Sequence, residues 1–454
     1  MAKPAVTTRP VCGDDAGMSG HSHQHAVTPP VRRRRETAAE KRRRRRAIVA
    51  LTAALVPVVA ALVLAGVALW PSSTTGGVDV PAGVFAAPGT TYVTASVRSV
   101  QTFTCQGTGS APGISVRCAH VQVRLDTGPE KGTNTKIDVD PTVVKSGIKP
   151  GNSLRLARFR STAGQPVSFA FSDYTRSTPM IALAVAFAVL VVVVARIRGL
   201  AALFGLAISF FVLLRFMIPA LLSGENPLAV GLVGSAAIMF VLLYLAHGVS
   251  IRTTTALIGT LFGLGASTLL AAWVVSTAHL TGVASEDDIT VSAVAGQVRL
   301  SGLLLCGIIV ASLGILNDVT VTQASAVWEL HALRPDTPVA RLFSGAMRIG
   351  RDHIASTVYT IVFAYAGAAL PILLLINLSG LPLGTIVTNE ALAEEIVRTL
   401  VGSIGLVLSV PLTTAVGVAL VRYARGAGHH PSAGAPKWDP TTGPGQGASA
   451  EMAR

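Results

Sequence analysis

The stretch "MIALAVAFAVLVVVVARIRGLAALFGLAISFFVLLRFMIPALL", Met180–Leu222, holds two apolar runs divided by "RIRG", Arg196–Gly199. Crossing the hydrocarbon core of a bilayer takes about 20 apolar residues as a helix. Met180–Ala195 and Leu200–Leu222 therefore read as two spans, the first of them short, with Arg196 and Arg198 at the turn between them. One cation, Arg215, lies deep in the second run, facing either the bundle or, by snorkelling, the surface that Pro219 and Ser223 approach.

The same criterion applied outward from this stretch finds six more candidates: Ala47–Trp70, Leu228–His247, Thr255–Ala278, Leu300–Leu316, Ile354–Leu378 and Ile396–Val421. Half of the 454 residues are hydrophobic and 13% are charged, more apolar surface than a soluble globule of this size can hide. The fold class expected is an α-helical polytopic membrane protein with eight transmembrane helices.

The formal net charge of +14 is concentrated in one tail: residues 1–46 carry twelve Lys and Arg against four acids, through "RRRR" at Arg32–Arg35 and "KRRRRR" at Lys41–Arg46. A basic block just before an apolar span marks a cytoplasmic flank. No aromatic residue interleaves with these arginines, so nucleic acid is not an expected partner. The 24-residue run after them exceeds a signal-peptide core and reads as a retained helix, although "VFAAP" near Ala86 keeps cleavage open. Threading from a cytoplasmic start puts Arg252, Arg334, Arg341, Arg348 and Arg351 inside. It leaves the connections Ser223–Pro227, Thr281–Gln297 and Ser379–Glu395 outside, with acids and no Lys or Arg. Both termini are then cytoplasmic and the protein sits in the cell membrane.

Between the first two spans, residues 71–178 alternate apolar and polar positions in "TYVTASVRSVQTF", "GISVRCAHVQVRL" and "NSLRLARF", with turns at "DTGPEKGT" and "KPGN". This predicts a small extracytoplasmic all-β domain, with an oligonucleotide/oligosaccharide-binding (OB-like) barrel as the guess at its shape. Cys105 and Cys118 lie on two strands that can pair as a hairpin, and they form either a disulfide or two separate buried thiols. The organisation is thus a basic tail at 1–46, a first helix at 47–70, the β domain at 71–178, a seven-helix membrane domain at 179–421 and a Gly-, Pro- and Ser-rich tail at 422–454.

"GILNDVTVTQASAVWEL", Gly314–Leu330, carries Asp318, Thr322, Ser325 and Glu329 at spacings of four, three and four, which places them in one arc of a helix. The stripe is either the solvated face of an interfacial helix or an inward polar lining. As a lining it supplies carboxylates that exchange a proton or hold a cation, the coupling device of gradient-driven transporters. Glu395 and Arg398 form an economical local pair. "GTLFGLGAS", Gly259–Ser267, offers a smooth face for helix packing. "HSHQH", His21–His25, reads as an adventitious metal binder, and "GMSG", Gly17–Gly20, lies in a polar tail where no intramembrane nucleophile belongs. No HExxH, Walker loop or dinucleotide fingerprint is present, so neither a catalytic residue, nor a cofactor, nor a metal site is expected.

Several segments in order resemble the YibE/F-like family of bacterial multi-pass membrane proteins: "FMIPALLSGENPLAVGL", "HGVSIRTTTALIGTLFG", "LGILNDVTVTQASAVWELH", "MRIGRDHIASTVYTIVFAYAGAALPILLL" and "EEIVRTLVGSIGLVLSVPLTT". With "FSDYTRSTPM" at Phe171–Met180 they cover most of Ser172–Val421. Asp318, Ser325, Glu329 and the "GRD" of Gly350–Asp352 match the family, whereas Asn317 stands where the family has Met and "ASTVYT" departs from its version. The resemblance implies the architecture and no established activity. The expected function is a secondary transporter or permease of unidentified substrate, with Asp318, Thr322, Ser325 and Glu329 along the path and Arg215, Arg351 and Asp352 as electrostatic supports. The alternative is a non-catalytic envelope scaffold presenting the β domain to a partner. Expected partners are the lipid bilayer and a small solute or ion, and a homo-oligomer is left open.

Overall fold

The computed structural model describes residues 38–71, 89–106, 115–159, 167–380 and 382–425. The histidine tract, "GMSG", "VFAAP" and the C-terminal tail fall outside the described residues.

A first helix, α1 (Ala38–Ala68), leads into five strands: β1 (Thr91–Gln106), β2 (Ser115–Leu125), β3 (Asn134–Val139), β4 (Ser153–Phe159) and β5 (Ser168–Tyr174), with a short helix α2 (Pro141–Lys145) between β3 and β4. All pairings are antiparallel in the order β3-β2-β1-β4-β5. The edge strands β3 and β5 also meet, which curls the sheet into a half-barrel. Its core is the alternation read from sequence. Val93, Ala95 and Val97, then Val121, Val123 and Leu125, then Ile137 and Val139, then Leu154 and Leu156 all face inward, since successive side chains on a strand point to opposite faces. Cys105 and Cys118 are joined as a disulfide with Cα atoms 5.8 Å apart, stapling the far end of the β1–β2 hairpin.

The membrane part begins with α3 (Ser177–Val212), one π-helical turn (Leu213–Met217) and α4 (Ile218–Leu222). A continuous helix of 46 residues would be about 69 Å long, more than twice the roughly 30 Å of bilayer hydrocarbon. The chain does not continue straight. Arg196 leaves helical geometry at φ 54°, ψ −132°. A Cβ on Gly199 would collide with the Val191 carbonyl oxygen, eight residues back, a separation a straight helix would hold near 12 Å. The break therefore lies at the "RIRG" of the opening stretch. The π turn sits immediately before Pro219, whose ring would otherwise strike the carbonyl four residues earlier.

There follow α5 (Pro227–His247), α6 (Ile251–Thr277), α7 (Glu286–Val294), α8 (Leu300–Leu333), α9 (Val339–Ala368), α10 (Leu370–Ser379), α11 (Leu383–Val387) and α12 (Glu390–Arg425). Among the described residues five helices are long and apolar enough to cross a membrane, and the count is six if α9 and α10, bent by 65°, form one broken span. Two expectations change. The sixth predicted span does not stop at Leu316, because α8 runs unbroken to Leu333. The seventh, predicted as Ile354–Leu378, starts earlier and breaks at Ala369, where Pro371 in the first turn of α10 cannot donate to the preceding helix. Helices α6, α8 and α12 pack side by side as the centre, with α5 and α9 around them.

Candidate functional site

Helix α8 has two polar faces. The outward one is the predicted stripe. The Asp318 side chain is 65% exposed, with the His353 Nε2 of α9 at 3.4 Å, and Glu329 is 73% exposed, with an Arg252 guanidinium nitrogen of α6 at 3.9 Å. The Thr322 and Ser325 hydroxyls donate to the carbonyls of Asp318 and Val321 one turn back, as hydroxyls in helices without a tertiary partner do. Of the three supports, Arg215 is exposed and enters no ion pair among the described residues, and Arg351 and Asp352 are exposed on α9. The stripe is met by His353, the residue after "GRD". The glycine of that motif has a different task. A Cβ on Gly350 would lie 2.8 Å from both the Gln323 Oε1 and a Val410 methyl, so only glycine lets α9 approach α8 and α12 this closely.

The inward face of α8 was not singled out by the sequence. The Thr320 and Thr260 hydroxyls meet at 2.6 Å between α8 and α6. Buried Gln323 donates to the Thr414 hydroxyl of α12 at 2.6 Å and to the Ala346 carbonyl of α9 at 3.0 Å, joining three helices through one amide. Toward the α7 end of the bundle the seam continues through Ser409, Ser312 and Ser267, all fully buried. The Gly259–Ser267 segment contributes its smooth face here. Gly259 receives the Thr413 side chain of α12, and Gly263 lies against Ser409. Periodicity cannot reveal this seam, because Ser, Thr and Gly score between apolar and charged and these helices are apolar all round.

At the α7 end of the bundle the polar character becomes ionic. Glu390, at the start of α12, accepts from the Thr281 amide and hydroxyl and from the Gly282 amide through its Oε1, at 2.5–2.9 Å, tying the loop before α7 to α12. Asp288 completes a capping box on α7 with Ser285. Glu395 is paired with Arg398 at 2.5 Å, the local pair expected from sequence. Glu394, the residue between these commitments, turns inward. Only 8% of it is exposed, and its Oε1 is buried with no hydrogen-bond donor among the described residues. Glu394 and Arg398 line a cavity of about 380 Å³ walled by Met217, Ile218, Leu300, Leu304 and Val310. The only signal for Glu394 in the sequence is the doubled acid of "EEIVR": consecutive helical residues point about 100° apart, so one can face water while the other faces the bundle.

The model of the YibE/F-like family matches residues 183–423, more than half of the chain. The chain belongs to the YibE/F-like family. No curated protein and no solved structure matches it. The YibE/F-like portion contains the stripe, the buried seam and the cavity at Glu394, whereas α1 and the β half-barrel lie before it. The family match of this YibE/F-like protein thus falls on the helical bundle.

Proposed function

We propose that this YibE/F-like protein is a secondary transporter of the cell membrane, a carrier and not an enzyme, that passes a small solute along the α6–α8–α12 seam. The observation that carries this reading is Glu394. A buried carboxylate oxygen without a donor is costly to keep, and such groups within a membrane bundle mark ion and substrate pathways. It stands beside a cavity at one end of a seam of hydroxyls and one amide. Asp318 and Glu329, at the other end, stand beside this route, and His353 and Arg252 set the local charge there.

The topology that goes with this reading has eight spans and both termini cytoplasmic. It takes α1 and the bent α9–α10 pair as spans and divides Ser177–Leu222 at Arg196, and it places the cavity on the outer side and Asp318 on the inner. The strand order, with a short helix between β3 and β4 and contact between β3 and β5, supports an OB-like outer domain. A disulfide-stapled hairpin on that domain favours, as a second reading, a scaffold that presents it to an envelope partner.

Proteoliposomes holding the full chain, energised by a pH gradient or a membrane potential and screened against labelled ions and metabolites, test the transporter. Gradient-dependent uptake that Glu394→Gln abolishes is expected. Wild-type vesicles that move nothing beyond protein-free controls would overturn it, and capture of an envelope protein by the β domain would then favour the scaffold.

A further inference from the structure

We infer that the cavity at Glu394 binds a small organic cation, an ammonium group carried on an apolar body. As a statement of substrate class this rests on the transporter reading; as a binding site it rests on four observations about the cavity itself.

The first is the state of the charges. Among the described residues, the charged groups that act on Glu394 are the carboxylates Glu390, Glu395 and Asp288 and the cation Arg398. Each of the others is engaged: Glu390 by the Thr281 and Gly282 amides, Asp288 by the cap of α7, and Glu395 and Arg398 by one another. Glu394 alone keeps a buried oxygen with no donor. A cationic ligand supplies what is missing. An anion would face this carboxyl group with Arg398 already committed, and a neutral hydroxyl would supply a hydrogen bond without the opposite charge that makes the ammonium the stronger partner.

The second is size. About 380 Å³ lies in the range of small-molecule pockets and far exceeds a bare ion. The third is the wall: Met217, Ile218, Leu300, Leu304 and Val310 offer hydrocarbon, whereas a metal ion of the calcium or magnesium kind needs six or more oxygen donors. The fourth is an open position. Gly307 is an exposed residue at the rim of the cavity, and a Cβ there would meet nothing within 4 Å, so a larger side chain can be placed at the mouth without displacing a neighbour. Polar recognition at one end and apolar burial elsewhere is the usual division of labour in such sites.

The test uses the full chain purified in an uncharged detergent, with benzylammonium as probe and benzyl alcohol and phenylacetate as its neutral and anionic counterparts. Saturable binding, read by calorimetry and by a rise in the thermal midpoint, is expected for benzylammonium, with the two counterparts at least tenfold weaker. Glu394→Gln should weaken the ammonium at least tenfold, and Glu329→Gln should leave it unchanged. Gly307→Phe should weaken all three by obstructing the mouth of the cavity, with Glu394 untouched. Should Glu394→Gln fail to fold, the counterpart series and Gly307→Phe decide the matter. Equal binding of benzyl alcohol and benzylammonium, undiminished binding to Glu394→Gln, or undiminished binding to Gly307→Phe would each overturn the inference. Ammonium binding in a protein that transports nothing would remove the transporter and leave this site standing; transport without such binding would do the reverse.

Discussion

Two groups of acids lie at opposite ends of the bundle and differ in burial and in company. Asp318 and Glu329 are mostly exposed and each has a basic side chain within 4 Å. Glu394, at the far end, is 8% exposed and has an oxygen without a donor. In sequence the first group is the more conspicuous, a regular stripe of four polar residues. In the fold it is the cheaper, because water or a loose partner solvates each charge. A carboxylate acquires binding capacity when its surroundings leave it unsatisfied, and that depends on the helices packed against it.

The contrast can be broken most forcefully at the glycine that sets the helix spacing. Gly350→Val should force α9 away from Gln323 and Val410 and cost about 1–3 kcal/mol, as overpacking does. Thermal unfolding in detergent would read this, and its neighbours Arg351→Ala and Asp352→Ala should stay within about 0.5 kcal/mol. A midpoint indifferent to Gly350→Val would mean that α9 does not pack as described.

Next in size is the amide on the inward face of α8. Gln323→Leu removes the two hydrogen bonds to Thr414 and Ala346 and should lower stability by about 1–2 kcal/mol. The Thr414 hydroxyl it abandons still donates to the Val410 carbonyl, and the Ala346 carbonyl lies inside the continuous helix α9, so the loss stays moderate.

The sharpest comparison is one of sign. Glu394→Gln replaces a buried carboxyl group whose Oε1 lacks a donor with an isostere that cannot ionise, and should raise the thermal midpoint of the unliganded protein at alkaline pH, where the carboxyl is charged. Asp318→Asn and Glu329→Gln, at exposed pairs, should move it by no more than about 0.5 kcal/mol. A clear loss of stability in Glu394→Gln would show that its carboxylate is satisfied.

Smallest is a carboxylate of the opposite kind. In the β domain, Glu130 is held by a forked pair from Arg158, Nε to Oε2 at 2.9 Å and Nη2 to Oε1 at 2.6 Å. These hydrogen bonds keep its carboxyl below the ordinary glutamate range. A depressed folded value means that the pair stabilises the domain above the unfolded value and ceases to do so as pH falls through the folded one. Protection of the amides in β4 and in the 126–133 turn, taken as exchange relative to the intrinsic rate at each pH, should therefore fall on acidification into that window. Glu130→Gln should show the lower protection already at neutral pH and lose its dependence on pH.

How much of this was legible varies by element. The β core could be read residue by residue, since Val93, Ala95 and Val97 alternate with exposed neighbours on strands of period two. The break at Arg196 was legible because two arginines interrupt an apolar run too long for one crossing. The ends of the sixth and seventh spans were not. Polar residues after Leu316 stay helical because α8 still has α6, α9 and α12 to pack against, and the bend at Ala369 depends on how Pro371 is accommodated. The Glu395–Arg398 pair followed from a spacing of three, whereas the inward turn of Glu394 left no trace beyond a doubled acid.

The amino-acid sequence by itself determined that this chain is a membrane protein with an all-β insert, where its longest apolar run breaks at Arg196, and to which family it belongs. Long apolar runs, strand alternation and charge bias are properties of consecutive residues and survive without a fold. The tertiary structure alone decided which polar groups are hidden. Gln323, Thr414, Thr260 and Glu394 lie far apart along the chain, and their burial exists only when α6, α8, α9 and α12 are brought together. The energy of a buried polar group is set by what surrounds it in space, so the seam and the cavity could be found only there.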